Sequence, residues 1–452
     1  MAERMTYGGH ARAVLGLGLP LIGGHLAQLA IGMTDTVMMG WYGVPELAAL
    51  TLAGSLFFTL FLFGSGFAWA IMPMVATFAA RGETVQVRRA TRMALWLSIL
   101  YFVVMMPLLW WSGPLLELLG QTPELSALAQ TYLRIAGFGM LPALGVMVMK
   151  NYLAGLEHTR VVLWVTVAAA VGNVAMNYAL VFGNWGAPEL GIAGAAIASV
   201  FVQLVSMALI VAYALRVLPE HALFQRFWRP DWEMFGQVFR LGWPIGLTTL
   251  AEVALFAGAS VLMGMLGTVP LAAHGIVIQV ATATFMIQMG LSNAATVRAG
   301  NALGRGDARH MLDGARVVMV MGAVGVAVSI ALFVLAPELV IGLFVDPDDP
   351  QRAAIIAVGR QLMLIAALFQ LADAVQVLHL GLLRGLHDTR VPMIVAAFAY
   401  WGVGMPAAAG LMWLGWGGVG VWLGLTFGLT VAAVALGVRF WRHGAAMVVS
   451  PR

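Results

Sequence analysis

Residues 161–182 read VVLWVTVAAAVGNVAMNYALVF and contain no charged side chain. An α-helix needs about 20 consecutive apolar residues to cross the roughly 30 Å hydrocarbon core of a bilayer. This stretch therefore predicts a transmembrane helix. Residues 94–111 form a second uncharged run of similar length, so the chain is expected to cross the membrane more than once.

The composition extends this prediction to the whole chain. Of its 452 residues, 61% are hydrophobic and 10% are charged, and the mean hydropathy is +0.91. Soluble domains carry about 25% charged residues. We expect the first apolar segment, 14–39, to remain as a helix, because it is too long for a cleavable signal peptide. The absence of Cys excludes disulfides and thiolate metal sites.

Glycines, prolines and charge clusters divide the chain into about twelve apolar spans. We predict an all-α membrane protein with spans at residues 13–39, 47–73, 93–112, 125–149, 161–183, 190–215, 241–265, 270–297, 315–336, 353–380, 391–413 and 417–439.

The basic residues predict the orientation. All but Arg134, Arg352 and Arg360 of the 24 Lys and Arg residues fall on alternate connections or at the termini. Lys150 and Arg384 are assigned to this basic set of connections. Because such residues collect on the cytoplasmic side, we expect a multi-pass inner-membrane protein with both termini in the cytoplasm. The same pattern accounts for the pI near 9.7 without a nucleic-acid partner.

The two halves of the chain resemble one another. At an offset of 224 residues, Gly18-Leu19-Pro20 matches Gly242-Trp243-Pro244, and Arg81-Gly82-Glu83 matches Arg305-Gly306-Asp307. Each copy spans an even number of helices, which predicts two pseudo-symmetric six-helix lobes of parallel topology around a central cleft. We expect an N-lobe at 1–222, a cytoplasmic linker at 223–240, either a short interfacial helix or unstructured, and a C-lobe at 241–452.

Three carboxylates fall inside the predicted spans, at Asp35, Glu252 and Asp373. A charge at the centre of a membrane helix costs at least about 2.5–3.5 kcal/mol on insertion scales. A functional or structural reason must therefore account for each of these carboxylates. A coupling-ion or substrate-cation site is one reason, and a buried pair with Arg or Lys is the alternative. No basic residue lies within one or two helical turns of Glu252 or Asp373.

Polar neighbours share faces with these carboxylates. Glu252 and Asp373 lie in the same half, and their oxygens could bind Na⁺ or share a proton. By the repeat offset, Gln28 is the counterpart of Glu252, so the halves differ chemically. Helical spacing adds further candidates: Thr248 beside Glu252, Gln376 beside Asp373, His25 and Gln28 on the stripe of Asp35, and the pair Asn173 and Asn177. For each Asn or Gln, an interhelical hydrogen bond is the alternative to a substrate contact.

No catalytic motif or metal-ligand spacing accompanies these residues. We therefore expect no enzyme activity and no cofactor. The bound species would be a coupling ion, and Glu252 and Asp373 would coordinate that ion if it is Na⁺.

Several stretches together resemble the MATE family (multidrug and toxic compound extrusion), in its NorM-like branch. They are Met33–Gly40, Asn177–Ala196, Ala294–Arg298, Gly304–Asp307, Asp373–Gln376 and Leu383–Gly385. The resemblance covers nearly the whole chain. It implies a secondary transporter with two six-helix lobes, which exchanges organic cations for Na⁺ or H⁺.

The resemblance also implies roles for individual residues. The carboxylates at Glu252 and Asp373 would bind the coupling cation, whereas Asp35, Asn173 and Asn177 would form a polar site in the N-lobe. Gly275 departs from the family pattern, which commonly has Gln after Ala272-Ala273-His274. The expected partners are amphipathic, mostly cationic small molecules and the lipid bilayer, and the chain is expected to act as a monomer.

Three other functions are alternatives, and the acidic intramembrane residues and the missing catalytic motifs argue against the first two. A flippase for lipid-linked precursors would share the architecture but need a cationic cleft for its polyanionic headgroups. A membrane-embedded enzyme would need a catalytic constellation near the interface. A channel would conduct ions without saturable, gradient-dependent counterflow.

Overall fold

In the computed structural model, which describes residues 5–449, the chain is helical throughout and contains no strand within that range. The helices are α1 Tyr7–Tyr42, α2 Val44–Trp69, α3 Ile71–Ala80, α4 Thr84–Trp110, α5 Ser112–Leu118, α6 Pro123–Gly155, α7 Thr159–Phe182, α8 Ile192–Val217, α9 Trp232–Met265, α10 Thr268–Arg305, α11 Ala308–Leu335, α12 Pro337–Gly342, α13 Arg352–Gly385, α14 Arg390–Ala397, α15 Met405–Leu411 and α16 Gly417–Val449.

Eleven helical stretches of the described residues are long and apolar enough to cross a membrane. The last of them, Arg390–Val449, is 60 residues long, which is enough for two spans. It turns back at Gly415 and Gly417, whose φ angles of 92° and 55° favour glycine. The arms are antiparallel, since Gly428 approaches Gly404 and Gly424 approaches Ala408. The predicted all-α fold with twelve membrane spans is therefore confirmed.

The helices group into two compact units, and the unit borders fall inside helices. One unit contains the residues up to Ile22 and those from Leu247 onward, and the other contains Gly23–Gly246. The borders thus differ from the predicted lobe boundaries at 222 and 241. The two sets of boundaries differ because the sequence repeat marks where each homologous copy begins, whereas a compact unit is defined by which helix segments are in contact.

Glycine contacts explain why the start of α1 belongs to the same unit as α10, and why the start of α9 belongs to the same unit as α2. A Cβ at Gly66 of α2 would lie 2.5 Å from the carbonyl oxygen of Gly242, so the start of α9 packs backbone to backbone on α2. A Cβ at Gly290 of α10 would lie 2.8 Å from the backbone nitrogen of Ile22. Such close approach between helices requires glycine.

The predicted linker 223–240 is shorter in the structure. Helix α9 begins at Trp232, so residues 232–240 belong to a membrane helix, and the only helical turn beforehand is Pro219–His221. Asp231 caps α9, because its Oδ1 accepts a hydrogen bond from the backbone nitrogen of Met234 at 3.1 Å. The N-cap Asp231 and the acidic Glu233 in the first turn are the helix-start signals that mark this boundary.

We predict that Gly66→Ala destabilises the protein by about 1–3 kcal/mol, because the added methyl group overlaps the α9 backbone. Gly54→Ala in the same helix is the matched control, since a Cβ there meets no atom within 4 Å. Thermal unfolding of both purified variants in detergent checks the prediction. Equal melting temperatures for the two variants would contradict it.

Candidate functional site

Glu252 and Asp373 line one cavity in the unit that contains the residues from Leu247 onward. The cavity volume is about 60 Å³, and the other lining residues are mostly apolar: Phe256, Ile278, Ala281, Thr282, Phe285, Phe369 and Trp422. The fold therefore brings together two acidic side chains that are 121 positions apart in the sequence. Thr248 is buried one turn before Glu252 and is not part of this lining.

The size of the cavity limits what it can hold. A water molecule needs roughly 10–15 Å³ of such space, whereas pockets for drug-sized ligands measure about 300–1,000 Å³. At about 60 Å³, the cavity has room for a small ion or a few water molecules. Its chemistry is that of an ion or proton site with apolar walls.

Oxygen atoms without hydrogen-bond partners lie at this site. Asp373 is 4% exposed, and its Oδ1 accepts no hydrogen bond from the described residues. Gln376, one turn later on α13, donates from Nε2 to the Tyr400 hydroxyl at 2.6 Å, which leaves its buried Oε1 likewise without a donor. Buried acceptors are rarely left unsatisfied in proteins, so these oxygens mark a place where a cation or a proton can bind.

Arg384 is the cation that the sequence analysis did not connect with this site. It lies within the last turn of α13 rather than in a connection, and it is close enough to interact electrostatically with Glu252 and Tyr400. It follows Asp373 by eleven residues, which is about three helical turns and returns to the same face. A search over three turns would have found it.

His274 is hydrogen-bonded to Trp422, which lines one wall of the cavity. Trp422 donates from Nε1 to Nδ1 of His274 at 3.1 Å, so the ring hydrogen is assigned to Nε2, which lies 3.1 Å from the Ser260 hydroxyl. Ser260 in turn donates to the Phe256 carbonyl at 3.0 Å. Both nitrogens of His274 are therefore occupied, and its role is to orient Trp422.

The polar residues of the N-terminal half meet at Asp35. Asn173 and Asn177 both donate from Nδ2 to Oδ1 of Asp35, at 3.0 and 2.5 Å. The two asparagines are fully buried on α7, whereas Asp35 on α1 is half-buried. Helical spacing four residues apart places both amides on one face, so they converge on the same carboxylate oxygen.

His25 and Gln28 do not belong to this cluster. They precede Asp35 by ten and seven residues, which separates them from it by about 15 and 10 Å along the helix. His25 stacks against Trp69 with ring centroids 6.4 Å apart, and Gln28 is exposed. Lys150, predicted in a connection, lies inside α6 within electrostatic range of His25.

Gly275 leaves open space at the position where the sequence departs from the family pattern. A Cβ built there would meet no atom within 4 Å. The position has room for a larger side chain, so the glycine is not required by packing.

We predict that Asp35 and Asn177 are energetically coupled by about 1.5–3 kcal/mol, the strength of a hydrogen bond to a charged group. The measurement is a double-mutant cycle with Asp35→Ala and Asn177→Ala, read from unfolding by SDS in mixed micelles. Asn184→Ala serves as the control. Asn184 follows the end of α7, and its amide donates to the Tyr178 carbonyl and not to Asp35. Additive effects in the Asp35 and Asn177 cycle would refute the coupling.

Comparisons with known proteins agree with this fold over nearly the whole chain. The MatE family model matches residues 20–179 and 244–409. The chain is 48% identical to "Probable multidrug resistance protein NorM" of Rhizobium meliloti (strain 1021), over 96% of this chain and 93% of the relative. It is 34% identical to "Multidrug resistance protein NorM" of Burkholderia vietnamiensis, over 98% and 96%.

Solved structures share the architecture at low sequence identity. The crystal structure of the eukaryotic MATE transporter AtDTX14 superposes with a TM-score of 0.85 at 19% identity, and the match covers 98% of this chain and 99% of that one. An outward-facing multidrug resistance MATE transporter of the MOP superfamily gives 0.85 at 18% identity, with coverage of 99% and 100%. The family match, the close relatives and the twelve spans lead to one conclusion: this chain is a multi-pass membrane protein of the MatE family, in its NorM-like branch.

Proposed function

We propose that this chain is a secondary multidrug efflux transporter, which exchanges amphipathic organic cations for Na⁺ or H⁺ by alternating access. The observation that carries the proposal is the buried pair of Glu252 and Asp373 on one ion-sized cavity in a membrane protein. The relatives named NorM are described as multidrug resistance proteins, which supports drugs as the substrates.

The coupling ion acts at the pair of carboxylates. Two ionised carboxylates in one small cavity repel each other, and a bound cation or a shared proton relieves that repulsion. The Asp373 oxygen that lacks a donor is available to bind the ion. An ion shifts a conformational equilibrium only if it binds the two states differently, and here it favours the state that releases substrate outward.

The substrate binds elsewhere, since a cavity of about 60 Å³ excludes an organic cation. Asp35 is a candidate, because it is half-buried and its negative charge is oriented by two amides.

A flippase for lipid-linked precursors fits the site less well. Its polyanionic headgroups would need a cationic pocket within the membrane, whereas this cavity presents two carboxylates. A transporter also accounts for the relatives better than an enzyme does, because their names refer to drug resistance and not to catalysis.

The proposed location is the cytoplasmic membrane, with both termini in the cytoplasm. The basic connections support this orientation. Residues 1–4 and 450–452 lie outside the described range, so the terminal arginines contribute only through the sequence pattern. Each polar site is made within one chain, so a monomer suffices for function.

We predict that Glu252→Gln and Asp373→Asn each reduce gradient-driven dye efflux by about tenfold or more, within the usual range of coupling free energies. The amides keep the size of the side chains but lose the charge that attracts the ion. Efflux is measured in everted vesicles with an imposed Na⁺ gradient and then with a pH gradient. The gradient that drives the unmodified protein identifies the ion.

Glu338→Gln is the matched control, because Glu338 is exposed and forms only a surface ion pair with Arg360. Saturable counterflow of labelled substrate separates transport from conduction. Full efflux by both neutralised variants would eliminate coupling at this cavity.

A further inference from the structure

A second cavity, lined by arginines, lies at the start of α4 in the unit that contains Gly23–Gly246. Its volume is about 390 Å³, and its lining residues come from the first turns of α4 and from the segment before α9: Val85, Arg88, Arg89, Arg92, Gln225, Arg226, Arg229 and Asp231. We call it the arginine pocket. The proposed transport cycle makes no use of it.

Part of the positive charge in the arginine pocket is neutralised within the protein. Arg89 donates to both carboxylate oxygens of Asp231, at 2.5 and 3.0 Å, and to Glu233 at 3.0 Å. These hydrogen bonds lower the pKa of Asp231, so the pair stays ionised. Arg88 donates to the Gln225 side chain, which leaves its charge uncompensated.

Of the remaining arginines, Arg92 interacts electrostatically with Asp231, whose oxygens Arg89 already binds. Among residues 5–449, Arg92, Arg226 and Arg229 form no salt bridge. Arg92 is 9% exposed, and it donates from Nη1 to the Arg226 carbonyl at 3.1 Å. Its buried Nε–H has no acceptor in the described part of the chain. A buried guanidinium with an unused donor is costly unless an anion accepts from it.

The guanidinium groups of the arginine pocket favour a phosphate group as the bound anion. Guanidinium groups bind phosphate oxygens through paired N–H donors, and several of them converge on this pocket. The uncharged part of α4 begins directly after Arg92, which puts the pocket at the level of the lipid headgroups. Trp228 and Trp232 beside it are 76% and 68% exposed, as is common for tryptophans that anchor a protein at the membrane interface.

The equivalent place in the other half lacks these features. The repeat offset of 224 pairs Arg92 with Arg316, which is exposed and bonds to Asp313 at 3.0 Å. The arginine pocket is therefore not a by-product of the repeated fold. We propose that it binds a phosphate group at the membrane surface, carried by an anionic phospholipid or present as free phosphate.

The test measures binding to the full chain in a neutral detergent by native mass spectrometry. Phosphatidylglycerol, phosphatidylcholine and inorganic phosphate are titrated separately. We expect phosphatidylglycerol to bind and phosphatidylcholine not to bind. Arg226→Gln and Arg229→Gln should each weaken binding about fivefold, because one arginine near an anionic surface contributes about that factor. Arg92→Gln should reduce it further.

The control is Arg309→Gln, an exposed arginine of the other unit, which should bind as the unmodified protein does. Tight binding of inorganic phosphate that the same variants abolish would identify free phosphate as the source. The exposed variants keep the test decisive even if Arg92→Gln does not fold. Two results together would overturn the proposal. The unmodified protein and the Arg226→Gln/Arg229→Gln variant would retain phosphatidylglycerol equally, and inorganic phosphate would not bind to the unmodified protein.

Discussion

An acidic side chain inside a membrane span must be compensated by its neighbours, because hydrocarbon offers no water to an ionised carboxylate. The two halves of this chain meet that requirement in different ways. Asp35 receives two amide hydrogen bonds from α7, whereas Asp373 keeps a buried oxygen that accepts none from residues 5–449. Asp35 is hydrogen-bonded by neighbouring amides, whereas Asp373 retains an oxygen that can accept a cation or a proton.

The internal repeat makes this difference visible position by position. Gln28 aligns with Glu252, and Arg92 aligns with Arg316. In the first pair the uncharged residue is exposed and the acid faces a cavity. In the second pair one arginine is buried in the arginine pocket and the other forms a surface ion pair. The same helical scaffold thus carries a cavity with two carboxylates in one half and a basic pocket in the other.

Much of the fold follows from sequence pattern alone, because hydrophobic length and charge clusters are local properties. The grouping of Asn173 and Asn177 with Asp35 is expected only from the family resemblance, whereas the twelve spans could be predicted in this way. Lys150 and Arg384 could not, since dividing a chain at its charges places every basic residue in a connection. Helices α6 and α13 continue past the apolar segment and carry these two cations inside. Which helix segment joins which compact unit depends on distant glycine contacts that no local pattern records.

Backbone contact between α2 and α9 has a consequence for how this protein can evolve. At Gly66, Gly242 and Gly246 the two helices touch through main-chain atoms, so their spacing does not depend on any side chain that drift could alter. Positions such as Gly275 have no such contact and tolerate replacement. Selection can therefore change side chains at such open positions while the helix framework keeps its geometry.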